Sequence, residues 1–451
     1  MRCISRKKQR GQIALLMTFT IVPMIGLLGM VSDLGYMNYI KQSAQAAADS
    51  AVLAALNQFH STVAGSTYTC TQTGVVCGSS YQCPTNITTP SNAVQTACLY
   101  AKQNGFQATG NQNVLVDSNI GSSAPATAPG VNSASWWIEV RVSQRVNQLF
   151  SAITGNTTGL VSARATGAVT PAKDCIYALD PNGSGAYYQN GNTNVTANCG
   201  LYVNSSNALA MYNSGNSTLS ATEYDIVGNY SWHGTLTPTP TVNSPATVDP
   251  LSGLAVPSPC SSSGGCNLAD CSVHPNQVVV NNNTTLFPGT YCGGIYVKKG
   301  TATLSQGTYI LVGGGMGTQD ANSIITGTGI FIYNTYNSTH TYQGMAFAAT
   351  STINLTAATS GTYGGILYMA DRNYSGSEPT ESFQGGPTST FEGTIYAPKS
   401  LIQFAGNPSM TLSNYTILVG YDVSLLGTST LNDNYSVLTG GTPIQQVSLI
   451  E

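Results

Sequence analysis

The chain has 451 residues, 48 of them Gly, with charged side chains at only 7% and a formal net charge of −3. Ordinary soluble proteins carry about 25% charged residues, so Ser, Thr and Asn must supply much of the polar surface. Five of the 15 Lys/Arg precede Ile13, leaving ten against 18 Asp/Glu in all that follows. That acidic remainder gives nucleic-acid binding no electrostatic basis.

Residues 1–12 form a basic tail (Arg2, Arg6, Lys7, Lys8, Arg10), and Ile13 to Val31 follow without a charge. As a helix those residues would be about 28 Å long, close to the hydrocarbon thickness of a bilayer. No small-x-small cleavage pair directly follows the run; Ala44-Gln45-Ala46 lies too far on. The expectation is therefore a retained transmembrane helix over 13–32, kinked at Pro23, rather than a cleaved signal. By the positive-inside bias the amino terminus is cytoplasmic, and the bulk of the chain is periplasmic or extracellular, held at the inner (cell) membrane.

Three blocks in this region occur in order: Arg10-Gly11 opening RGQIAL, Asp33 and Gly35 in SDLGY, and Gln42, Ala47, Ala48, Asp49 and Ala51 in QSAQAAADSAVLAA. Together they resemble the amino-terminal segment, about residues 6–60, of TadG-like proteins of the Flp/Tad pilus-assembly group. That resemblance implies an accessory or pilin-like role in building a surface fibre. Type IV pilins carry Glu five residues after the Gly at which prepilin peptidase cuts. Counted from Gly11, that place is Leu16 here, which again favours a retained anchor. Some relatives end in a metal-binding von Willebrand A-type domain, but this chain has no Asp-x-Ser-x-Ser, so that feature is not carried over.

An Ala-rich helix should continue the span over 33–59. Leu34, Met37, Ile40, Ala44, Ala47, Ala51 and Ala55 keep spacings of three and four, a stripe suited either to a partner helix or to the chain's own next domain. Residues 60–170 read as an α+β membrane-proximal module. Residues 60–92 are loop-like, Ala93–Phe106 is a short helix ended by Asn-Gly, and Val114–Val116 and Trp137–Val142 alternate as strands. Arg145–Ile153 is a short helix and Leu160–Val169 a further strand. Adjacent Trp136 and Trp137 read as core plus rim rather than a binding patch.

From 171 to 451 helical periodicity disappears. A Gly-apolar-aromatic motif recurs at Gly200, Gly294, Gly329, Gly365 and Gly393, at intervals of 94, 35, 36 and 28. Irregular intervals suit a right-handed parallel β-helix, a solenoid in which loops of variable length emerge between stacked coils. A β-sandwich is the alternative. Asn281–Asn283 is a candidate turn ladder, and the Pro/Ser-rich stretch near 236–265 reads as an extended excursion or linker.

Of 11 cysteines only Cys3 precedes the apolar run. The ten beyond it read as disulfides: Cys70, Cys77, Cys83 and Cys98 in the first module, Cys175 and Cys199 as one staple, and Cys260, Cys266, Cys271 and Cys292 in any of three pairings. The spacing of Cys260, Cys266, Cys271 and His274 is wrong for a structural zinc site, so no metal or cofactor is expected. Gly313-Gly-Gly-Met-Gly lacks the Lys-Ser/Thr of a phosphate loop and reads as a turn.

No catalytic constellation is present, and the expectation is a non-enzymatic protein of pilus assembly or adhesion. Its partners would be the lipid bilayer, pilus-assembly proteins or pilin subunits, and surface glycans. The alternative is a surface carbohydrate-binding or carbohydrate-cleaving β-helix on a TadG-like tether. Convergence of Asp371, Glu378, Glu381 and Glu392 in one groove would favour that alternative, and the Asp371-Arg372 and Glu223/Asp225 pairs belong to the same question.

Overall fold

The computed structural model describes residues 10–63, 68–121, 134–155, 157–260, 263–406, 413–438 and 441–450. Residues 1–9, which hold most of the basic tail and Cys3, lie outside them. The described residues fall into two compact units, one within 10–63, 68–170 and 446–450 and the other within 171–445. The protein is mostly β, with an amino-terminal helix and parallel sheets.

The first unit is built on one uninterrupted helix, α1 (Arg10–Thr62), of 53 residues. Among the described residues, no helix is long and apolar enough to cross a membrane; the side chains of 10–16, 18, 22, 23, 25 and 26 are outside that description. The carboxyl-terminal half of α1 and α2 (Ala93–Gln103) pack on a sheet. That sheet is ordered β1 (Gly78–Gln82), β2 (Gln112–Ile120), β3 (Trp136–Asn147), β4 (Thr158–Pro171), then the final strand Gln445–Ile450. The ladders from β1 to β4 are antiparallel.

Alternation places Val114 and Val116, Ile138, Val140 and Val142, and Val161, Ala163 and Ala165 in one core. Against them lie Ala44, Ala47, Ala48, Ala51, Ala55 and Phe59 of α1, whose small side chains let helix and sheet approach closely. From Ile40 onward the Ala stripe is thus spent on the chain's own α2 and sheet, not offered to a partner helix. Trp136 and Trp137 are both buried, and Trp136 stacks on Phe59 at 4.0 Å. One local expectation is corrected: Arg145–Asn147 belong to β3, whose Val142 and Val146 continue the inward alternation. The helical turn is a 3-10 turn at Ser151–Thr154.

In the second unit every ladder between strands is parallel among the described residues. One lateral row shows the order. Thr290 pairs with Ile310, then Tyr333, Met369, Tyr396, Val419, Tyr177, Tyr202, Asp225 and Thr241. The neighbouring row, Tyr309, Ile332, Tyr368, Ile395, Leu418, Ile176, Leu201 and Tyr224, is buried along its whole length. Each buried large apolar side chain contributes roughly 1.5–3 kcal/mol, so this interior is the unit's main source of stability.

Stacking order and chain order differ. The strand carrying Val419 lies beside the one carrying Tyr177, so the unit's first strand and one near its carboxyl end meet inside the stack while residues near 241 and 290 occupy its ends. Residues 243–277 close the resulting gap. Thr247 N–H donates to Asn204 Oδ1 at 3.0 Å, and Tyr396 Oη donates to Asp249 Oδ2 at 2.5 Å. Arg372 donates to the carbonyls of Leu251, Ser252 and Leu254. Farther on, Gly265 N–H reaches Asp371 Oδ2 at 2.7 Å, and Cys266 N–H reaches the Tyr336 carbonyl at 2.6 Å. The segment read as a linker is therefore a strap running back along the stack.

Candidate functional site

Two places hold chemistry that the core does not explain. The first is on α1. Asp33 ends the uncharged run, and its carboxylate accepts three backbone N–H groups from the turn after β3: Leu149 at 3.1 Å, Phe150 at 3.0 Å and Ser151 at 2.8 Å. The Ser151 N–H is the main reason its carboxyl sits below the ordinary range; burial opposes, and the Leu149 and Phe150 N–H groups add to the lowering. One turn earlier, a Cβ at Gly29 would run into the Phe150 ring. Gly29 and Asp33 thus form a seat for the β3–β4 turn. Sequence reasoning singled out Asp33 without this role and missed Gly29; an acid closing a long apolar run was the available signal.

The other motif residues divide by face. Ala47, Ala48 and Ala51 are buried, Gln42 is exposed, and a Cβ at Gly35 would meet open space. Asp49 accepts a 2.8 Å bond from Gln45, which also reaches the Arg164 carbonyl. The side chains of Arg10 and Gly11 lie outside the described residues.

The second place is the acidic side chains of the parallel unit. Asp371, Glu378, Glu381 and Glu392 do not share one exposed groove. Asp371 is buried and accepts from Thr335 as well as Gly265, and Glu392 accepts from Asn414. Glu381 is fully buried, accepting from Tyr342, from Tyr368 at 2.6 Å, from Met345 N–H at 2.8 Å and from Ser400 at 3.3 Å. Glu378 instead faces Asp180 and Asp422. Burial first, then the charges of Glu378 and Asp180, push Asp422 up to about 8. Asp174 rises to about 7 by burial and by the charges of Glu223 and Asp225.

All ten cysteines beyond the apolar run pair: Cys70–Cys77, Cys83–Cys98, Cys175–Cys199, Cys260–Cys266 and Cys271–Cys292. His274 stacks on Tyr291 at 4.2 Å. Cys271, Cys292 and His340 lie within 4.8 Å of one another, but the Cys271–Cys292 bond consumes both thiolates that a metal would need. The Gly313–Gly315 run has positive φ throughout, +69°, +76° and +57°, and a Cβ would run into His340 at Gly313, the Gly293 carbonyl at Gly314 and the Gly344 carbonyl at Gly315. Only glycine fits that corner, and no phosphate role is required.

A long amino-terminal helix with an Asp-x-Gly and Ala-rich face, joined to a disulfide-bonded β-rich body, defines the class of protein by its first segment. Residues 11–58 match the family model described as putative Flp pilus-assembly TadE/G-like, and the TadG-like resemblance holds over that segment. No curated protein and no solved structure matches the chain.

Proposed function

We infer that the chain is a membrane-anchored, non-enzymatic component of Flp/Tad-type pilus assembly or surface adhesion, displaying an extracytoplasmic parallel β-helix. The observation that carries this is the split along α1 within the matched segment. Met17, Phe19, Ile21, Met24, Leu27, Leu28, Met30 and Val31 are exposed, Phe19 by 73%, whereas Ile40, Ala44, Ala47 and Ala51 are buried on the sheet. Exposed apolar side chains in such number call for lipid or another apolar partner. Continuous parallel stacking with a buried interior row supports the β-helix over a sandwich, whose sheets are antiparallel. Five disulfides suit an oxidising compartment. Pilus-assembly proteins or pilin subunits are the proposed partners, with surface glycans as a target of adhesion.

The test is fractionation of the full chain tagged at each end. Both tags should travel with the inner membrane, and the carboxyl-terminal tag should resist protease until the outer envelope is opened. A soluble carboxyl-terminal tag would overturn the reading.

One observation favours the carbohydrate-cleaving alternative: Asp422, proton-bearing near neutrality, beside Glu378 and Asp180. Reducing ends released from cell-wall polysaccharide by the wild type, and lost in Asp422→Asn, would establish it. No release from any surface glycan would remove it.

A further inference from the structure

We propose that the β3–β4 turn of the first unit is a second membrane contact, a side-chain wedge that enters the interface of the bilayer beside α1. This deepens the anchor reading and rests on it. Leu149 at the tip is 78% exposed, Phe150 38%, and Leu160, opposite Arg145 at the base of the hairpin, 65%. Exposed Leu and Phe at one end of a small domain need an apolar partner. Their position names it: Phe150 lies against Gly29, one turn inside the apolar run, among exposed Leu27, Leu28, Met30 and Val31. Lipid that covers those helix residues covers the turn as well.

Charge points the same way. From Val140 to the end of β4 at Pro171 the chain holds no acidic residue, and of its three arginines Arg141 is spent on Asp117 and Glu139 while Arg145 and Arg164 carry no such pair among the described residues. Arg145 and Arg164 are exposed. Cations beside an apolar tip match an anionic headgroup layer. The three N–H bonds to Asp33 then have a purpose beyond local order. They lock the turn to the helix, so that helix and tip enter the bilayer as two fixed points and set the tilt of the unit on the membrane.

The test uses the full chain in vesicles of phosphatidylethanolamine and phosphatidylglycerol. Leu149→Trp places a reporter at an exposed site, read against the wild type with its three native Trp and against Leu209→Trp in the second unit. Lipids brominated near the headgroup should quench the Leu149→Trp emission and leave the Leu209→Trp reporter unchanged. Phosphatidylcholine alone should weaken that quenching. A chain that floats with the vesicles while the residue-149 reporter keeps its full intensity overturns this inference and leaves the anchor intact. A chain that does not float overturns the anchor reading, and this one with it.

Discussion

Asp422 and Glu381 are both carboxyls raised by burial, yet they do opposite work. Glu381 is surrounded by donors: two tyrosine hydroxyls, one serine hydroxyl and the Met345 N–H. Asp422 keeps a buried Oδ1 without a hydrogen-bond partner and has acidic neighbours. A carboxyl whose folded pKa is raised binds its proton more tightly in the native state. Its contribution is whole below the ordinary carboxylate range and is lost as pH rises towards about 8. Wild-type melting temperature should therefore fall between pH 4 and pH 8. Asp422→Asn should flatten that slope and raise the melting temperature at pH 8 while changing little at pH 4. Asp174, raised to about 7, predicts the same sign, so Asp174→Asn should remove a further part of the slope. An unchanged pH profile in both variants would mean that neither proton is held. Glu381→Leu should instead destabilise at every pH, because it strands several buried donors at about 1–3 kcal/mol each; a denaturant midpoint equal to the wild type's would refute that.

At the scale of elements, α1 depends on small residues on both sides of its contact. A Cβ at Gly167 of β4 would stand 2.5 Å from Val52 Cγ1 and 2.6 Å from Leu56 Cδ1, with the Ser448 carbonyl 3.0 Å away. With helix and final strand both in the way, Gly167→Val should cost about 1–3 kcal/mol or more by overpacking. Trp136, stacked on Phe59, gives a fluorescence readout of that loss, and a denaturation midpoint unchanged from wild type would contradict it. This contact also shows what was legible in the sequence. Spacing of three and four revealed the buried stripe of Ala44, Ala47, Ala51 and Ala55, but periodicity cannot say whether a stripe meets a partner or the chain's own sheet. Arg145–Ile153 misled for a related reason: a short apolar run does not distinguish a strand end plus 3-10 turn from a helix. An even number of cysteines announced disulfides but left the pairing open until Cys83 and Cys98 were brought together by β1 and α2.

Across the whole of the parallel unit, the repeat Gly-apolar-aromatic motif announced stacked strands but not their order, because every copy offers the same edge to its neighbours. Order is instead imposed by the strap. From Thr241 to Thr290 the row takes nine steps, about 43 Å at ~4.8 Å per strand, and residues 243–277 must span that length in the reverse direction. Local reading could find the Pro and Ser that keep this segment out of the sheet, but the donors that hold it, Arg372, Tyr396 and Tyr363, lie more than 100 residues away. Arg372 satisfies three strap carbonyls and sits over the Tyr396 ring at 5.8 Å. Arg372→Ala should therefore release the stretch around 245–255 without dissolving the stack, whose interior row it does not touch. Amide exchange should accelerate at Leu251 and Leu254 while Ile332, Ile395 and Leu418 stay protected, and protease should nick the strap first. Lysine at this position should rescue little, since one ammonium cannot reproduce a planar fork aimed at three carbonyls. If exchange instead quickens equally in strap and stack, the strap is an integral part of the core and the two cannot be separated by a single residue.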